Sequence, residues 1–275
     1  MDHVPTVAYL GPQYSYSYLA AVAHFHETGE FIPFATISSI FEAIASRDCE
    51  YGVVPIENST DGRIVDTLNV LSQSPALFCG EVNLSIHHNL LAQPGVGAIQ
   101  AIHSKPQALS QCRDWIQEHY PEVQLVPTTS TTAAARNASQ DPQVAAIASL
   151  AAAEHYALNV IAASIEDTRD NITRFAVLGN RRIAATGDDK TTLLMGLDHA
   201  PGALADAMAV FKSEKINLTW IESFPKLGHP NEYVFFLEFL GHIDTDNVRQ
   251  TVELLRACVQ DVHILGSYPR SPVDG

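Results

Sequence analysis

Long apolar runs, a basic stripe and paired cysteines are all missing from this chain of 275 residues, and each absence closes a class of function. No stretch approaches the roughly 20 apolar residues of a membrane-spanning helix, so a membrane protein is not expected. Lys and Arg number 16 against 31 Asp and Glu, a formal net charge of -15, and the basic residues never cluster. Such a chain repels phosphate backbones, and nucleic acid is a poor partner. Cys49, Cys79, Cys112 and Cys258 form neither a CxxC pair nor a compact framework, and read as reduced, mostly buried small hydrophobes. Met1 to Pro5 runs straight into the strand-like Thr6 to Leu10 without a basic, apolar, small-residue leader, so the expected location is cytoplasmic. The 12 histidines make no HExxH and no ligand-spaced cluster, and adjacent His87 and His88 would point to opposite faces of a strand. No GxSxG elbow presents a serine and no GxGxxG follows a strand, so metal, ATP and NAD are not expected.

What is present has the composition of a soluble enzyme, 46% hydrophobic and 17% charged, at a length that favours two domains. Over 6–179, short β-branched runs alternate with helix-like segments, the pattern of βα units around a largely parallel sheet. A strand over 7–10 precedes a helix over 17–26, and a strand over 31–35 precedes a helix that Ser39 and Glu42 open as a capping box. Strand 51–55, loop 57–62 and an amphipathic segment over 64–71 lead to strands 77–86 and 87–92, which carry the chain into a second lobe. There strands 101–103, 124–127 and 144–148 alternate with helices 106–118, 131–138 and 150–158. Strands 160–163 and 175–178 are expected back in the first lobe, giving lobe one as about 1–80 with 160–182 and lobe two as about 81–159. Periodicity fails from Arg181 to Asp189, marking a linker over 183–189. The remaining part, 190–275, reads strand, helix, strand, strand, helix, strand, the βαββαβ ferredoxin-like plan.

Polar groups gather at strand ends, where ligands of open α/β sheets bind. Asp170-Asn171-Ile172-Thr173-Arg174-Phe175 puts amide, hydroxyl and guanidinium groups at the mouth of an apolar strand. Thr173 also reads as an ordinary strand threonine, and Arg174 as a snorkelling or paired surface cation. Glu57 to Asp61 sets five hydrogen-bonding residues after a buried strand, among them Asn58 and Ser59, where an Asx-turn is the plain reading. Gly11 to Ser17, including Ser15, is either an anion-binding turn or a turn capped by Ser17. Ser104 reads as the cap of a helix with Pro106 at its first position, with Gln107 and Gln111 four apart on one face. Ser130 and Thr131 lie at a third strand-to-helix junction.

Together these motifs resemble, in order and spacing along nearly the whole chain, those of the prephenate dehydratases. The resemblance implies a two-lobed α/β dehydratase domain of periplasmic-binding-protein-like form, followed by an ACT regulatory domain. It implies conversion of prephenate to phenylpyruvate without a cofactor. The family's Thr-Arg-Phe motif falls on Thr173, Arg174 and Phe175, with Thr173 and Arg174 as catalytic residues. Ser15, Asn58, Ser59, Ser104, Gln107, Gln111, Ser130, Thr131, Asn171 and Phe175 fall on substrate positions, and Arg174 or nearby amides would hold the pyruvyl carboxylate. An effector, L-phenylalanine, would meet Gly202, Ala203, Leu204, Asn217, Leu218, Glu222 and Ser223. The likeness also implies a homodimer or homotetramer. Two positions depart from the family pattern: Tyr14 stands where the turn has glycine, and Phe224 where the Glu-Ser-Arg-Pro motif has arginine. Arogenate as substrate, and a non-catalytic amino-acid sensor, are the competing readings.

Overall fold

The computed structural model describes residues 3–26, 28–226 and 229–271; Met1, Asp2, Glu27, Leu227, Gly228 and 272–275 lie outside the described residues. The chain divides into two units, Met1–Val70 with Val82–Phe175, and Leu71–Glu81 with Ala176–Gly275.

The chain opens with β1 (Thr6–Leu10), α1 (Tyr16–Phe25), β2 (Glu30–Phe34), α2 (Ile37–Ser46), β3 (Tyr51–Asn58), the two-residue β4 (Gly62–Arg63), α3 (Val65–Leu71) and β5 (Leu77–Ser85). β1 pairs in parallel with both β2 and β3, as the βα alternation requires. The strand β3 is apolar and almost wholly buried because α2 lies directly on it. A Cβ on Gly52 would stand 2.6 Å from Ile40 Cγ2 and 2.7 Å from Ile44 Cδ1, so only glycine lets the helix approach this closely. The capping box of α2 is Thr36 with Ser39, earlier than expected: Thr36 Oγ1 accepts from the Ser39 amide at 3.2 Å and Ser39 Oγ from the Thr36 amide at 3.3 Å.

Next come β6 (Asn89–Ala92), β7 (Ala101–Ser104), α4 (Pro106–Gln111), α5 (Arg113–His119), β8 (Gln124–Pro127), α6 (Thr131–Gln140), β9 (Val144–Ala148), α7 (Leu150–His155), β10 (Asn159–Ala162) and β11 (Ile172–Gly179). The expected single helix over 106–118 is two helices, broken at Cys112 (φ -115°, ψ 19°). Two sheets result, ordered β2-β1-β3-β11-β5 and β10-β6-β9-β7-β8. The strand β10 therefore pairs with β6 in the second sheet rather than returning to the first. Around β9 the core is built from alanines, with Ala134, Ala135 and Ala138 of α6 packed on Ala146 and Ala148. Small side chains let α6 lie close to the sheet and fix its amino end at the strand tips.

The second unit adds β12 (Asp189–Gly196), α8 (Ala203–Ser213), β13 (Leu218–Lys226), β14 (His229–Leu240), α9 (Asp246–Cys258) and β15 (Asp261–Pro269). This is the βαββαβ order read from the sequence, closed into an antiparallel sheet β13-β14-β12-β15. Leu193, Met195, Phe211, Leu237, Phe239, Val248 and Leu255 form its core. One buried ammonium serves two buried carboxylates there: Lys190 Nζ lies 2.9 Å from Glu81 and 3.4 Å from Glu238. The Thr219 and Tyr268 hydroxyls donate to Glu238 at 2.6 and 3.0 Å, supplying the hydrogen bonds that a buried carboxylate requires.

Candidate active site

β1 and β3 run side by side in one direction, so their carboxyl ends deliver the 11–17 turn and the 57–61 loop to the same edge. There a cleft of about 190 Å³ opens within the first unit, lined from both sheets. Ser15, Asn58, Gln107, Gln111, Ser130, Thr131, Asn171, Thr173 and Phe175, all singled out from sequence, lie on its wall.

Thr173, on β11, is 9% exposed, and its Oγ1 accepts from Asn58 Nδ2 at 2.8 Å. The other Asn58 Nδ2 proton goes to Asn171 Oδ1, also at 2.8 Å. Asn58 Oδ1 in turn accepts from the amides of Thr60 and Asp61 at 3.0 and 3.1 Å. That Asx-turn fixes which end of the Asn58 amide is nitrogen, and so makes Thr173 the acceptor in this pair. The hydroxyl proton of Thr173 is left to point elsewhere, and the cleft is where the residue is open. Asn58 itself has both donors and its oxygen engaged by protein, so it aims Thr173.

The chain of amides continues across the cleft. Asn171 Nδ2 donates to Gln111 Oε1 at 3.1 Å, and Gln111 Nε2 donates to Asp61 Oδ2 at 3.0 Å. Gln107 Nε2 donates to the same Asp61 oxygen, so the two glutamines on one face of α4 grip a carboxylate from the loop after β3. Because Gln111 Oε1 faces His88 Nε2 at 2.8 Å, that ring nitrogen is the donor. His88 Nδ1 lies 3.1 Å from the Tyr16 hydroxyl, which donates to the His87 carbonyl at 2.6 Å. Burial holds the His88 imidazole below its ordinary pKa, partly offset by the Gln111 contact, and pushes the Tyr16 phenol up.

Helix ends frame the opposite wall. Ser15, rather than Ser17, caps α1: its Oγ accepts from the Tyr18 amide at 3.3 Å and donates to the Leu10 carbonyl at 3.1 Å. Ser130 caps α6 through the Ala133 amide at 3.0 Å, which aims the positive end of a ten-residue helix at the cleft. Lys105 is the one ammonium or guanidinium on the described wall. Pro55, Ile64, Ile86, Ala108 and Phe175 supply its apolar part.

Three expected residues lie elsewhere. Arg174 points away from Thr173, as strand neighbours must, and its Nη2 pairs with Glu57 at 3.2 Å. Ser59 spends its hydroxyl on the Asp170 carbonyl at 2.7 Å and the Ile172 amide at 2.9 Å, tying its loop to β11. Ser104 is wholly buried, donates to the Ile147 carbonyl at 2.7 Å and caps nothing; the cap position of α4 is Lys105. Sequence reasoning missed His88, Tyr16, Lys105 and Asp61. For His88 the available signal is a histidine pair opening the strand-like 87–92, where the sequence reading considers metal ligation alone. Among the described residues no group of three or more His, Cys, Asp and Glu is placed to hold a metal.

The departures are accommodated locally. Tyr14 takes the left-handed conformation that glycine favours (φ 65°), and its ring stacks on His155 of α7 at 4.0 Å. The Ser149 hydroxyl donates to the Tyr14 carbonyl at 3.2 Å. In the second unit, Ala203 and Leu204 line a pocket of about 180 Å³ with Tyr233 and Phe235. Gly202 (φ 90°) caps α8, the Asn217 carbonyl accepts from the Leu240 amide at 3.0 Å, and Leu218, Glu222 and Ser223 lie on β13. Phe224 is buried at 9% exposure.

Two lobes meeting over an aimed hydroxyl, with an apolar floor and a helix amino end opposite, define an α/β enzyme for a small anionic molecule. The prephenate dehydratase family model matches residues 7–183. A bifunctional chorismate mutase/prephenate dehydratase of Aquifex aeolicus is 37% identical over 266 residues, 96% of this chain and 74% of that one. A prephenate dehydratase of Mycolicibacterium gilvum is 34% identical over 288 residues, 99% of this chain and 93% of that one. The crystal structure of the Arthrobacter aurescens prephenate dehydratase in complex with L-Phe superposes with a TM-score of 0.89 at 32% identity, covering 96% of this chain and 90% of that one. The chain belongs to the prephenate dehydratase family, and so to the hydro-lyases of amino-acid biosynthesis.

Proposed function

We propose that the cleft beside Thr173 performs the family's reaction through a single aimed alcohol. As the ring carboxylate of prephenate leaves as carbon dioxide, the electron pair of that C–C bond enters the ring. The C–O bond on the opposite ring carbon then breaks. The products are phenylpyruvate, carbon dioxide and hydroxide, and aromatisation drives the step. The charge that develops is on the departing oxygen, and a fixed O–H donor there is worth more in the transition state than in the ground state. Asn58 donating to Thr173 Oγ1 at 2.8 Å is the observation that carries this reading, since it leaves the threonine a donor toward substrate.

Lys105 and the amino end of α6, with Ser130 and Thr131, are suited to the pyruvyl carboxylate. The wall of Pro55, Ile64, Ile86 and Phe175 suits the ring carboxylate, whose charge must vanish and gains nothing from strong pairing. Arg174, paired with Glu57, ties β11 to β3 and so holds the strand that carries Thr173. Following phenylpyruvate absorbance after adding prephenate tests the function. Formation with a higher kcat/KM than for arogenate supports it, and no product from either substrate overturns it in favour of a binding protein.

The βαββαβ part of the second unit, 190–275, is read as an ACT regulatory domain joined through a linker over 183–189, with the effector received by the Ala203–Leu204 pocket and the backbone from Asn217 to Ser223. With Phe224 buried in place of the motif's arginine, no guanidinium is offered there, so any L-phenylalanine binding rests on backbone and apolar contacts. Calorimetry with L-phenylalanine on wild type and Phe224→Arg tests this: weak heat for wild type and tighter binding for the variant support it. Ile221 and Tyr233, 44% and 48% exposed near the β13 edge of the sheet, suit pairing of two copies into a dimer or a dimer of dimers. The free thiols Cys49, Cys79, Cys112 and Cys258 suit the reducing cytoplasm.

A further inference from the structure

We propose that the second unit carries a further binding site, in the cavity enclosed by α9, β15 and the segment around Arg181 to Ile183, for an organic anion with two or more negative charges and an apolar body. The cavity measures about 570 Å³, within the range of small-molecule sites and three times the size of the catalytic cleft. It shares no residue with that cleft or with the pocket at Ala203 and Leu204.

Charge is what sets it apart. Arg181, Arg182, Arg249 and Arg256 line it, a quarter of the 16 Lys and Arg residues of a chain whose formal net charge is -15. Among the described residues, two carboxylates, Asp244 and Glu253, stand on the same wall. Arg249 is engaged, with Nη1 on Asp246 Oδ1 at 3.0 Å and Nη2 on the Asp244 carbonyl at 2.8 Å. Arg182 and Arg256 have no ion-pair partner among the described residues. On α9, Arg249, Glu253 and Arg256 recur at spacings of four and three, so one helical face presents both guanidiniums to the cavity.

The frame is built and its floor is apolar. His242, 2% exposed, has its Nε2 on the Ile183 carbonyl at 3.0 Å and its Nδ1 on the Asp244 amide at 3.1 Å, which pins the 181–183 segment to the turn after β14. Phe78, Val252, Val262 and Ile264 supply hydrocarbon between the charges. Forked guanidiniums match carboxylate and phosphate oxygens alike, and the apolar floor favours an organic ligand over a bare ion. Aromatic dicarboxylates and nucleoside monophosphates share this chemistry, and the experiment separates them.

The full-length protein is titrated calorimetrically with phthalate, adenosine 5′-monophosphate and inorganic phosphate, at two salt concentrations. Wild type is compared with the exposed double variant Arg182→Ala/Arg256→Ala and with Thr173→Ala. Saturable binding of phthalate or the nucleotide is expected, weakened about tenfold or more in the double variant and by added salt, and unchanged in Thr173→Ala. Whichever of the two binds identifies carboxylate or phosphate as the natural group. Binding lost in Thr173→Ala would assign the heat to the cleft and overturn the proposal. Equal binding by the double variant, no binding of any probe at millimolar concentration, or inorganic phosphate binding as tightly as either organic anion would overturn it as well. Prephenate turnover of the double variant without added anion is expected to match wild type, so this outcome is independent of the catalytic assignment.

Discussion

Asn58 Nδ2 lies 2.8 Å from Thr173 Oγ1, and because Asn58 Oδ1 is already held by two backbone amides, the amide is the donor and the alcohol the acceptor. The direction of this one hydrogen bond decides what the alcohol can do, since its single proton is then available to a leaving oxygen. Replacing Asn58 by Asp keeps the shape but turns the donor into an acceptor, which would draw the Thr173 proton back toward β3. Asn58→Asp is expected to lower kcat by about two orders of magnitude, comparable to loss of an oxyanion donor. A KM shift with unchanged kcat would instead make Asn58 a substrate contact.

The Tyr14–His155 stack offsets a strained backbone. A side chain at φ 65° costs about 1–2 kcal/mol, and an aromatic pair returns about 0.5–1.5 kcal/mol. Tyr14→Gly removes both and is expected to leave Tm nearly unchanged. Tyr14→Ala keeps the strain without the stack, and thermal unfolding should show it less stable than Tyr14→Gly by about 1–2 kcal/mol. Equal stability of the two variants would mean that the backbone relaxes.

Asp61 receives both Gln107 and Gln111 from α4 and so ties the loop after β3 to the other lobe. Its position is exposed, so Asp61→Ala should alter Tm little. Steady-state kinetics should show KM raised several-fold with kcat closer to wild type, because the closed cleft is less populated. A fall in kcat alone would place Asp61 in the chemistry instead.

Acid sensitivity should come in two windows. Burial lowers the folded-state pKa of His88 below 6.5, so its contribution to stability is complete above pH 6.5 and is lost as pH falls through the folded value. Burial pushes the Glu166 carboxyl up, but hydrogen bonds from His87 and from the His88 amide outweigh it and bring the value below 4.5, so that contribution is lost only at lower pH. His24 and His103 are also depressed by burial, so the informative quantity is the difference between wild type and His88→Gln in Tm against pH. The variant should lose less stability than wild type as pH falls below 6.5, and should keep the loss that Glu166 brings below pH 4.5. An unchanged upper window would show that His88 does not titrate there.

What the sequence discloses here is chemistry placed at strand ends. Asn58, Asn171, Thr173 and the glutamines of α4 were legible because polar groups after buried strands have few other reasons to recur. Ser104 was not: a serine before Pro106 reads locally as a cap, whereas its actual partner, the Ile147 carbonyl, is 43 positions away. Arg174 carried a sign that its neighbours lacked, but a side chain one position from Thr173 must face the other way, and its partner Glu57 lies on another strand. The placement of β10 failed for a similar reason. Its residues are mostly exposed, so no inward alternation says which sheet it joins. The βαββαβ order of the second unit was legible because its two helices each bury one apolar face and its strands are rich in β-branched and aromatic residues.

The central claim is that the Thr173 hydroxyl is the group that eases water from prephenate. Its most direct test is kcat for phenylpyruvate formation by Thr173→Ser and Thr173→Val, each checked for an unchanged Tm. Serine, which keeps the hydroxyl, should retain turnover within about tenfold of wild type, and isosteric valine should lose about two to three orders of magnitude. Valine turning over at the wild-type rate would contradict the account.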